Sequence, residues 1–224
     1  MCIRDSFFSA QVHATLCESL PDDTALTTWN LGASGMATHD IARELPEVVS
    51  RLQPDLIVLY VGTNDLLTRL GPLTRRQQDE AAAATPALGQ LAGQSRILTG
   101  LSLLLRGTLR TSVDAPLVSA VPLADAEENL RTIVAGNQGR PVLAVAQHIN
   151  RSEADRLEPY WALEARLARE LDTFTALDPR PALAPEAEAL LIDRNHLSRA
   201  GHRALARQIT PVARELLDLD SGSP

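Results

Sequence analysis

The chain has 224 residues, 45% of them hydrophobic and 22% charged, which is enough for one well-cored domain or two small ones. Its formal net charge of −7 argues against a nucleic-acid partner, because phosphate binding requires clustered cations. No apolar run reaches the length of about 18 residues that a membrane-spanning helix needs, so no membrane span is predicted.

The first six residues do not resemble a natural start. They lack the basic and apolar regions of a signal peptide. One set of codons for residues 1–5, followed by the first two bases of a serine codon, spells the transposon mosaic end used in sequencing-library preparation. We therefore interpret residues 1–6 as an adaptor scar, in which Ser6 is partly adaptor-encoded.

From residue 25 onward, strand-like and helix-like segments alternate, which is typical of an α/β domain with a parallel sheet. Residues 25–31 are predicted to form a strand that runs into a glycine-containing turn at 32–35. A helical repeat of apolar residues follows and ends at Pro54. The continuous apolar run within residues 55–61 is typical of a buried parallel strand.

Residues 66–122 are the least regular part of the chain. A polar, alanine-rich helix is predicted over residues 75–84 and a short apolar helix over residues 97–109. Proline and serine then interrupt the pattern up to residue 122. We interpret this segment as an insertion, which is either a cap over the functional site or additional surface.

Regular elements return after residue 122. Strands are predicted at 141–146 and 173–177, and apolar stripes mark three helices, the last of which runs through Leu205 and Leu216. The polar tail at 218–224 is expected to be loose. Residues 7–217 are therefore predicted to form a single domain.

Two residues near the last helix are a candidate acid–base pair. Asp193 and His196 are three residues apart, a spacing that can bring a carboxylate and an imidazole within mutual reach. In acyl transfer, such a carboxylate holds the imidazole in the tautomer that accepts a proton from a nucleophile. An ordinary helix start, with Ser198 as the N-cap, explains the same residues equally well.

Two further candidates follow predicted strands. Gly62 and Asn64 lie at the carboxyl end of the 55–61 strand, where open parallel sheets bind ligands. An asparagine amide there can donate to a developing oxyanion, and the backbone N–H of Gly35 could face the same crevice. Plain turns are the alternative at both positions.

The order of these segments along the chain resembles that of a known enzyme family. Gly35, then Gly-Thr-Asn-Asp at 62–65, then Asp193 and His196 within 193–202, resemble the SGNH hydrolases, also called GDSL esterases and lipases. The resemblance implies a three-layer α/β/α fold with a flavodoxin-like parallel sheet. It also implies a serine esterase that needs no metal or cofactor. In that family, Gly35 and Asn64 would form the oxyanion hole.

The resemblance also implies roles for the remaining site residues. His196 would be the general base and Asp193 the acid that orients it. The nucleophile is the departure, because the family's Gly-Asp-Ser is matched here by Arg-Asp-Ser ending at Ser6, 29 residues before Gly35. If residues 1–6 are an adaptor scar, this sequence is an N-terminally truncated fragment, and two interpretations stay open: Ser6 is the nucleophile, or the family's serine lay upstream and is missing. The implied substrate is a small-molecule, carbohydrate or lipid ester.

Two alternatives remain open from the sequence. An α/β-hydrolase would use Ser34, although residues 32–36 miss the Gly-x-Ser-x-Gly elbow by one residue. A binding module could keep the fold without a nucleophile. Among the other histidines, His202 is expected at the surface, whereas His39 is a candidate substrate contact.

Overall fold

The computed structural model describes residues 8–18, 20, 25–66, 74–84, 119–147, 151–183, 189–193 and 196–219. Ser6, the predicted helix at 97–109 and most of the proposed insertion lie outside these residues, as do His148 and residues 220–224. The described elements, in chain order, are α1 Phe8–Cys17, α2 Thr38–Leu52, β1 Ile57–Leu59, α3 Thr63–Leu66, α4 Arg75–Ala84, α5 Leu123–Gly136, β2 Val142–Val145, α6 Arg151–Glu170, β3 Phe174–Leu177, α7 Arg180–Leu183 and α8 Arg199–Leu216.

The three strands form one parallel sheet in the order β1-β2-β3. Leu143 in the central strand is aligned with Val58 on one side and with Thr175 on the other. All four residues of β2 are buried, which explains why this strand has no polar positions. The connection from β1 to β2 includes α3, α4 and α5, and α6 connects β2 to β3, as parallel pairing requires.

Helices cover both faces of the sheet. Along β2, Val142 and Ala144 pack into a core shared with α2, α5 and α6, whereas Leu143 and Val145 pack into a second core shared with α1 and α8. This alternation follows from the two-residue period of a strand. The result is the three-layer α/β/α arrangement that the sequence predicts, with both cores filled mainly by leucine, valine and isoleucine.

One strand prediction is wrong. Residues 25–31 form no strand, and both Trp29 and Leu31 have 48% of their surface exposed. A strand is stabilised by a hydrogen-bonded neighbour, and within the described part of the chain this segment pairs with none. The predictions of strands at 141–146 and 173–177 and of a helix at 75–84 are confirmed. Of the described helices, none is long and apolar enough to cross a bilayer.

Candidate active site

The carboxyl ends of β1 and β2 bring two loops together. After β1 the chain turns at Gly62, and the backbone N–H of Thr63 donates to Oε1 of Gln147 at a distance of 2.8 Å. Gln147 lies just beyond the end of β2, so this bond joins the two loops at one edge of the sheet. Sequence reasoning missed Gln147, although its place just beyond a buried strand was a usable signal.

The first candidate oxyanion donor lies in a tight turn. The N–H of Met36 donates to the carbonyl of Ala33 at 3.2 Å, which closes a turn that has Gly35 at its third position. Gly35 has a φ of 82°, a conformation that side-chain-bearing residues rarely adopt. Nη2 of Arg75 donates to the carbonyl oxygen of Gly35 at 3.2 Å. The turn is therefore held from outside by a guanidinium group.

The second candidate donor contacts this turn directly. Nδ2 of Asn64 donates to the carbonyl oxygen of Met36 at 2.8 Å, which joins the start of α3 to the turn before α2. The structure thus brings Asn64 and the Gly35 turn together, as expected for two groups of one site. A primary amide carries two hydrogens, and this bond uses one of them and fixes the plane of the amide.

The residue after Asn64 is a buried carboxylate. Asp65 has only 1% of its surface exposed, and its Oδ1 accepts hydrogen bonds from the backbone N–H and from Oγ1 of Thr38 at 2.9 and 3.0 Å. Burial raises the pKa of Asp65 to about 6, because desolvation outweighs these two bonds. No local sequence pattern indicates this role, because the polar partner of Asp65 is 27 residues away.

A second buried acid lies on α6. Glu164 has 4% of its surface exposed, and burial raises the pKa of its carboxyl to about 8. The charge of Asp65 raises this pKa further, and the guanidinium group of Arg180 opposes the shift. The charge of Asp65 thus disfavours a second negative charge at Glu164, and the pKa of Glu164 lies above that of Asp65.

The candidate acid–base pair is formed as expected. Nδ1 of His196 lies 2.8 Å from Oδ2 and 3.0 Å from Oδ1 of Asp193, and the backbone N–H of His196 also donates to Oδ1 at 2.9 Å. The two side chains are 72% and 53% exposed, so the pair faces solvent. With Nδ1–H donating to the carboxylate, Nε2 of a neutral imidazole is the nitrogen that can accept a proton.

The sequence around this pair explains its local shape. Leu191 and Leu197 form an antiparallel bridge that closes the loop holding Asp193 and His196. Oγ of Ser198 accepts the N–H of Gly201 at 3.1 Å, so Ser198 is the N-cap of α8. A Cβ atom at residue 201 would lie 2.1 Å from the carbonyl oxygen of Leu190, so only glycine fits there. The helix-start interpretation and the catalytic one are thus compatible.

The expectation that His202 is a surface residue is wrong. Its ring is half-buried, stacks on Phe8 with the centroids 6.3 Å apart, and accepts the backbone N–H of Phe8 at Nδ1 over 3.2 Å. Burial lowers the pKa of His202, in agreement with a neutral ring that accepts this bond. The bond joins the first residue of α1 to the first turn of α8, so both helices begin at the same end of the layer.

A second histidine–carboxylate pair lies on α2 and α4. Nε2 of His39 is 2.9 Å from Oδ2 of Asp79, and Nη1 of Arg43 reaches the same oxygen at 2.8 Å. The His39 side chain is 19% exposed. His39 is therefore part of a helix–helix contact, and its proposed contact with substrate remains a prediction.

No group of three or more histidine, cysteine, aspartate or glutamate side chains within the described ranges is arranged to hold a metal ion. The single described cysteine, Cys17, is exposed, and its Sγ lies 3.5 Å from Nε2 of His13.

Comparison with known proteins agrees with this geometry. The family model described as "GDSL-like Lipase/Acylhydrolase family" matches residues 4–204. A similar solved structure is the crystal structure of an acetyl xylan esterase, AlAXEase, with a TM-score of 0.58, 16% sequence identity and coverage of 94% of this chain and 92% of that chain. At that identity the likeness concerns the fold alone. No curated protein matches the sequence.

Proposed function

The chain belongs to the GDSL-like lipase/acylhydrolase family, and from this premise we propose that it is a serine esterase that hydrolyses carboxylic esters through Ser6, His196 and Asp193. Family membership confirms the SGNH resemblance and makes the protein a member of a family of ester hydrolases. The α/β-hydrolase alternative is not supported, because its elbow requires a strand before Ser34 and residues 25–31 form none.

The Asp193–His196 contact carries the proposal. A carboxylate bound at Nδ1 fixes the imidazole tautomer and stabilises the imidazolium that forms when Nε2 takes a proton. This is the arrangement that activates a serine hydroxyl, and the side chain of His196 is accessible to an incoming ester. The bond from the backbone N–H of His196 to the same carboxylate restrains the ring further.

One observation supports Ser6 as the nucleophile. The family match begins at residue 4 and therefore includes Ser6. Ser6 is also the serine of the Arg-Asp-Ser segment that stands where the family has Gly-Asp-Ser.

The proposed reaction uses two acyl-transfer steps. Oγ of Ser6 attacks the ester carbonyl carbon while Nε2 of His196 takes the hydroxyl proton, and the N–H of Gly35 and the amide of Asn64 stabilise the oxyanion. The carbon–oxygen bond to the leaving group then breaks, and the imidazolium gives its proton to the departing alcohol. In the second step, water that His196 deprotonates attacks the acyl-enzyme, which releases the acid and regenerates Ser6.

The substrate class is proposed from chemistry and from the structural neighbour. That neighbour is an acetyl xylan esterase, so a short acyl group on a carbohydrate is the first substrate to test. Small-molecule and lipid esters use the same attack on the carbonyl, and p-nitrophenyl acetate, butyrate and decanoate would rank the preferred acyl lengths. Family members with one catalytic centre can differ in the loops that hold the substrate.

Fluorophosphonate labelling tests the proposal without knowledge of the substrate. We expect one covalent adduct, located on Ser6 by peptide mapping and absent from Ser6→Ala and His196→Ala. The matched control is His13→Ala, which removes an imidazole that contacts Thr28 and Cys17. An adduct on a different serine, or a folded protein that takes no label, would contradict the proposal, and the second result would favour a non-catalytic binding module.

A further inference from the structure

Asp65 is a buried charge that the proposed chemistry leaves without a role. A carboxylate with 1% of its surface exposed is costly unless strong hydrogen bonds compensate for the lost water. Asp65 has two such bonds, from the backbone N–H and the hydroxyl of Thr38. The two hydrogen bonds with Thr38 indicate the structural role of Asp65.

Asp65 caps a helix from outside that helix. The N-cap position of α2 is Ala37, whose methyl side chain cannot accept a hydrogen bond. Asp65 instead accepts the N–H of Thr38, the first residue of the helix, and its negative charge faces the positive end of the helix dipole. The hydroxyl of Thr38 donates to the same oxygen and in turn accepts Nδ2 of Asn129 at 3.3 Å.

This cap also joins the two segments that hold the proposed oxyanion donors. Asp65 directly follows Asn64, and Thr38 is three residues after Gly35. A second bond, from Nδ2 of Asn64 to the carbonyl oxygen of Met36, runs parallel to the cap between the same two segments. Two adjacent cross-links of this kind fix both the distance and the relative orientation of the segments.

The backbone of Asp65 is held as well. Its carbonyl oxygen accepts the N–H of Val121 at 2.9 Å, and Arg75, which binds the carbonyl of Gly35, donates its own backbone N–H to Ala120. Residues 120–121, just before α5, therefore bind both Asp65, which follows Asn64, and Arg75, which binds Gly35. The carboxylate of Asp65 thus acts within a rigid frame.

We propose that Asp65 is the positioning residue of the oxyanion hole, which holds the Gly35 N–H and the Asn64 amide at the spacing that one oxyanion requires. This inference rests on the proposed function, because it takes Gly35 and Asn64 as the donors. Asp65 acts through Thr38 and does not touch the substrate. A displacement of about 1 Å between catalytic groups can cost about 10²-fold in rate, which sets the scale of the expected effect.

The structural test compares ¹⁵N NMR spectra of the 224-residue chain and its variants, without any substrate. In Asp65→Ala we expect the Gly35 backbone amide and the Asn64 side-chain amide to shift together and the Thr38 amide to lose protection from hydrogen exchange. Thr38→Val removes the hydroxyl bonds to Asp65 and Asn129 but keeps the backbone N–H bond to Asp65, so it should give smaller shifts of the same resonances. Thr38→Ser, which keeps the hydroxyl, should leave these resonances close to those of the wild type. Unchanged Gly35 and Asn64 resonances in Asp65→Ala or Thr38→Val would overturn the inference.

The kinetic test separates positioning from stability. We expect Asp65→Ala to lower kcat by about 10²-fold with KM changed less than about 3-fold, and Thr38→Val to lower kcat by about 5-fold. The matched control is Asn137→Ala, which removes the side-chain amide of the fully buried C-cap residue of α5, bonded to the carbonyls of Arg140 and Pro141. That variant should lose stability but keep kcat.

A double-mutant cycle completes the test. Because Asp65 acts through the placement of Asn64, the kcat loss of Asn64→Ala/Asp65→Ala should be much smaller than the product of the two single losses. If the kcat loss of the double variant equalled the product of the two single losses, Asp65 would act independently of Asn64, and the inference would be overturned. If the wild-type chain hydrolyses no ester while the NMR coupling is present, the proposed function fails and the positioning of these two groups by Asp65 stands.

Discussion

Two histidine–carboxylate pairs in the described part of the chain have nearly equal lengths and very different settings. His196 meets Asp193 at 2.8 Å through Nδ1, and His39 meets Asp79 at 2.9 Å through Nε2. The first pair is solvent-facing and closed within one loop, whereas the second joins α2 to α4 and shares its carboxylate oxygen with Arg43. Hydrogen-bond distance alone therefore does not identify a catalytic pair.

The two pairs differ in two respects. The imidazole binds its carboxylate through a different nitrogen in each pair, and only Asp79 also binds an arginine. In His196 the outer nitrogen, Nε2, is the one left to exchange a proton with a substrate, whereas in His39 it is engaged with Asp79. Asp79 is also bound to a permanent cation, so it has less charge to offer an imidazolium. We infer that the first pair affects rate and that the second affects stability.

The largest expected effect separates the two histidines. His196→Ala should reduce ester hydrolysis by about 10⁴-fold, because the serine proton then has no acceptor. His39→Ala should change kcat/KM less than about 3-fold. Steady-state hydrolysis of p-nitrophenyl acetate measures both, with circular dichroism to show that each variant is folded. Equal losses of kcat/KM in the two variants would contradict the assignment of a catalytic role to His196 and a structural role to His39.

The carboxylates sharpen the same comparison. Asp193→Asn should lower kcat by about 10³–10⁴-fold, since an amide can select the wrong imidazole tautomer, whereas Asp79→Asn should leave kcat unchanged. The pH–rate profile of each variant checks this. Retained activity in Asp193→Asn would show that His196 works without its carboxylate.

The oxyanion donor gives a smaller effect. Asn64→Ala should lower kcat by about 10²-fold with little change in KM, because the amide stabilises charge that exists only in the transition state. Single-turnover kinetics with p-nitrophenyl butyrate would separate the acylation step from binding. An unchanged rate would remove Asn64 from the oxyanion hole.

The buried acid Glu164 should affect stability with the opposite pH dependence to Asp79. The pKa of Glu164 is raised to about 8 in the folded protein, so its contribution to stability is fully present below about pH 4.5 and is lost as pH rises through 8. Glu164→Gln should flatten this loss and raise the melting temperature at pH 9 relative to the wild type. Identical pH–stability curves would show that Glu164 does not titrate in this range.

The smallest effect concerns Asp79. Its hydrogen bond with His39 holds the pKa of the carboxyl below its usual range, so its contribution to stability is present above about pH 4 and is lost as pH falls through that lowered pKa. Asp79→Asn should therefore lower the melting temperature at pH 7 by about 1–3 °C and have less effect at low pH. Because the pair is partly exposed to solvent, high salt should reduce the difference in melting temperature between the two proteins.

The sequence predicted elements whose pattern is local and missed contacts that span the chain. The buried run of β2 and the helical stripe of α8 follow directly from residue periods, and the Asp193–His196 contact follows from a spacing of three. The roles of Asp65 and of His202 depend on partners 27 and 194 residues away, which no local pattern indicates.

The failed strand prediction has the same cause. Residues 25–31 have suitable composition for a strand, but a strand also requires a partner, and pairing is a property of the tertiary fold. The interpretation of residues 1–6 as an adaptor scar and the cap proposed within residues 66–122 remain predictions. The roles of Ser6, Asp193, His196, Gly35 and Asn64 in catalysis also remain predictions.

The most direct measurement of the central claim is rapid-quench mass spectrometry after mixing the protein with p-nitrophenyl acetate. We predict an acetyl group on Ser6 in the wild type and in His39→Ala, and none in His196→Ala. Hydrolysis without an acetylated serine, or an acetyl group on Ser34 in place of Ser6, would contradict the assignment of Ser6, His196 and Asp193 as the catalytic triad.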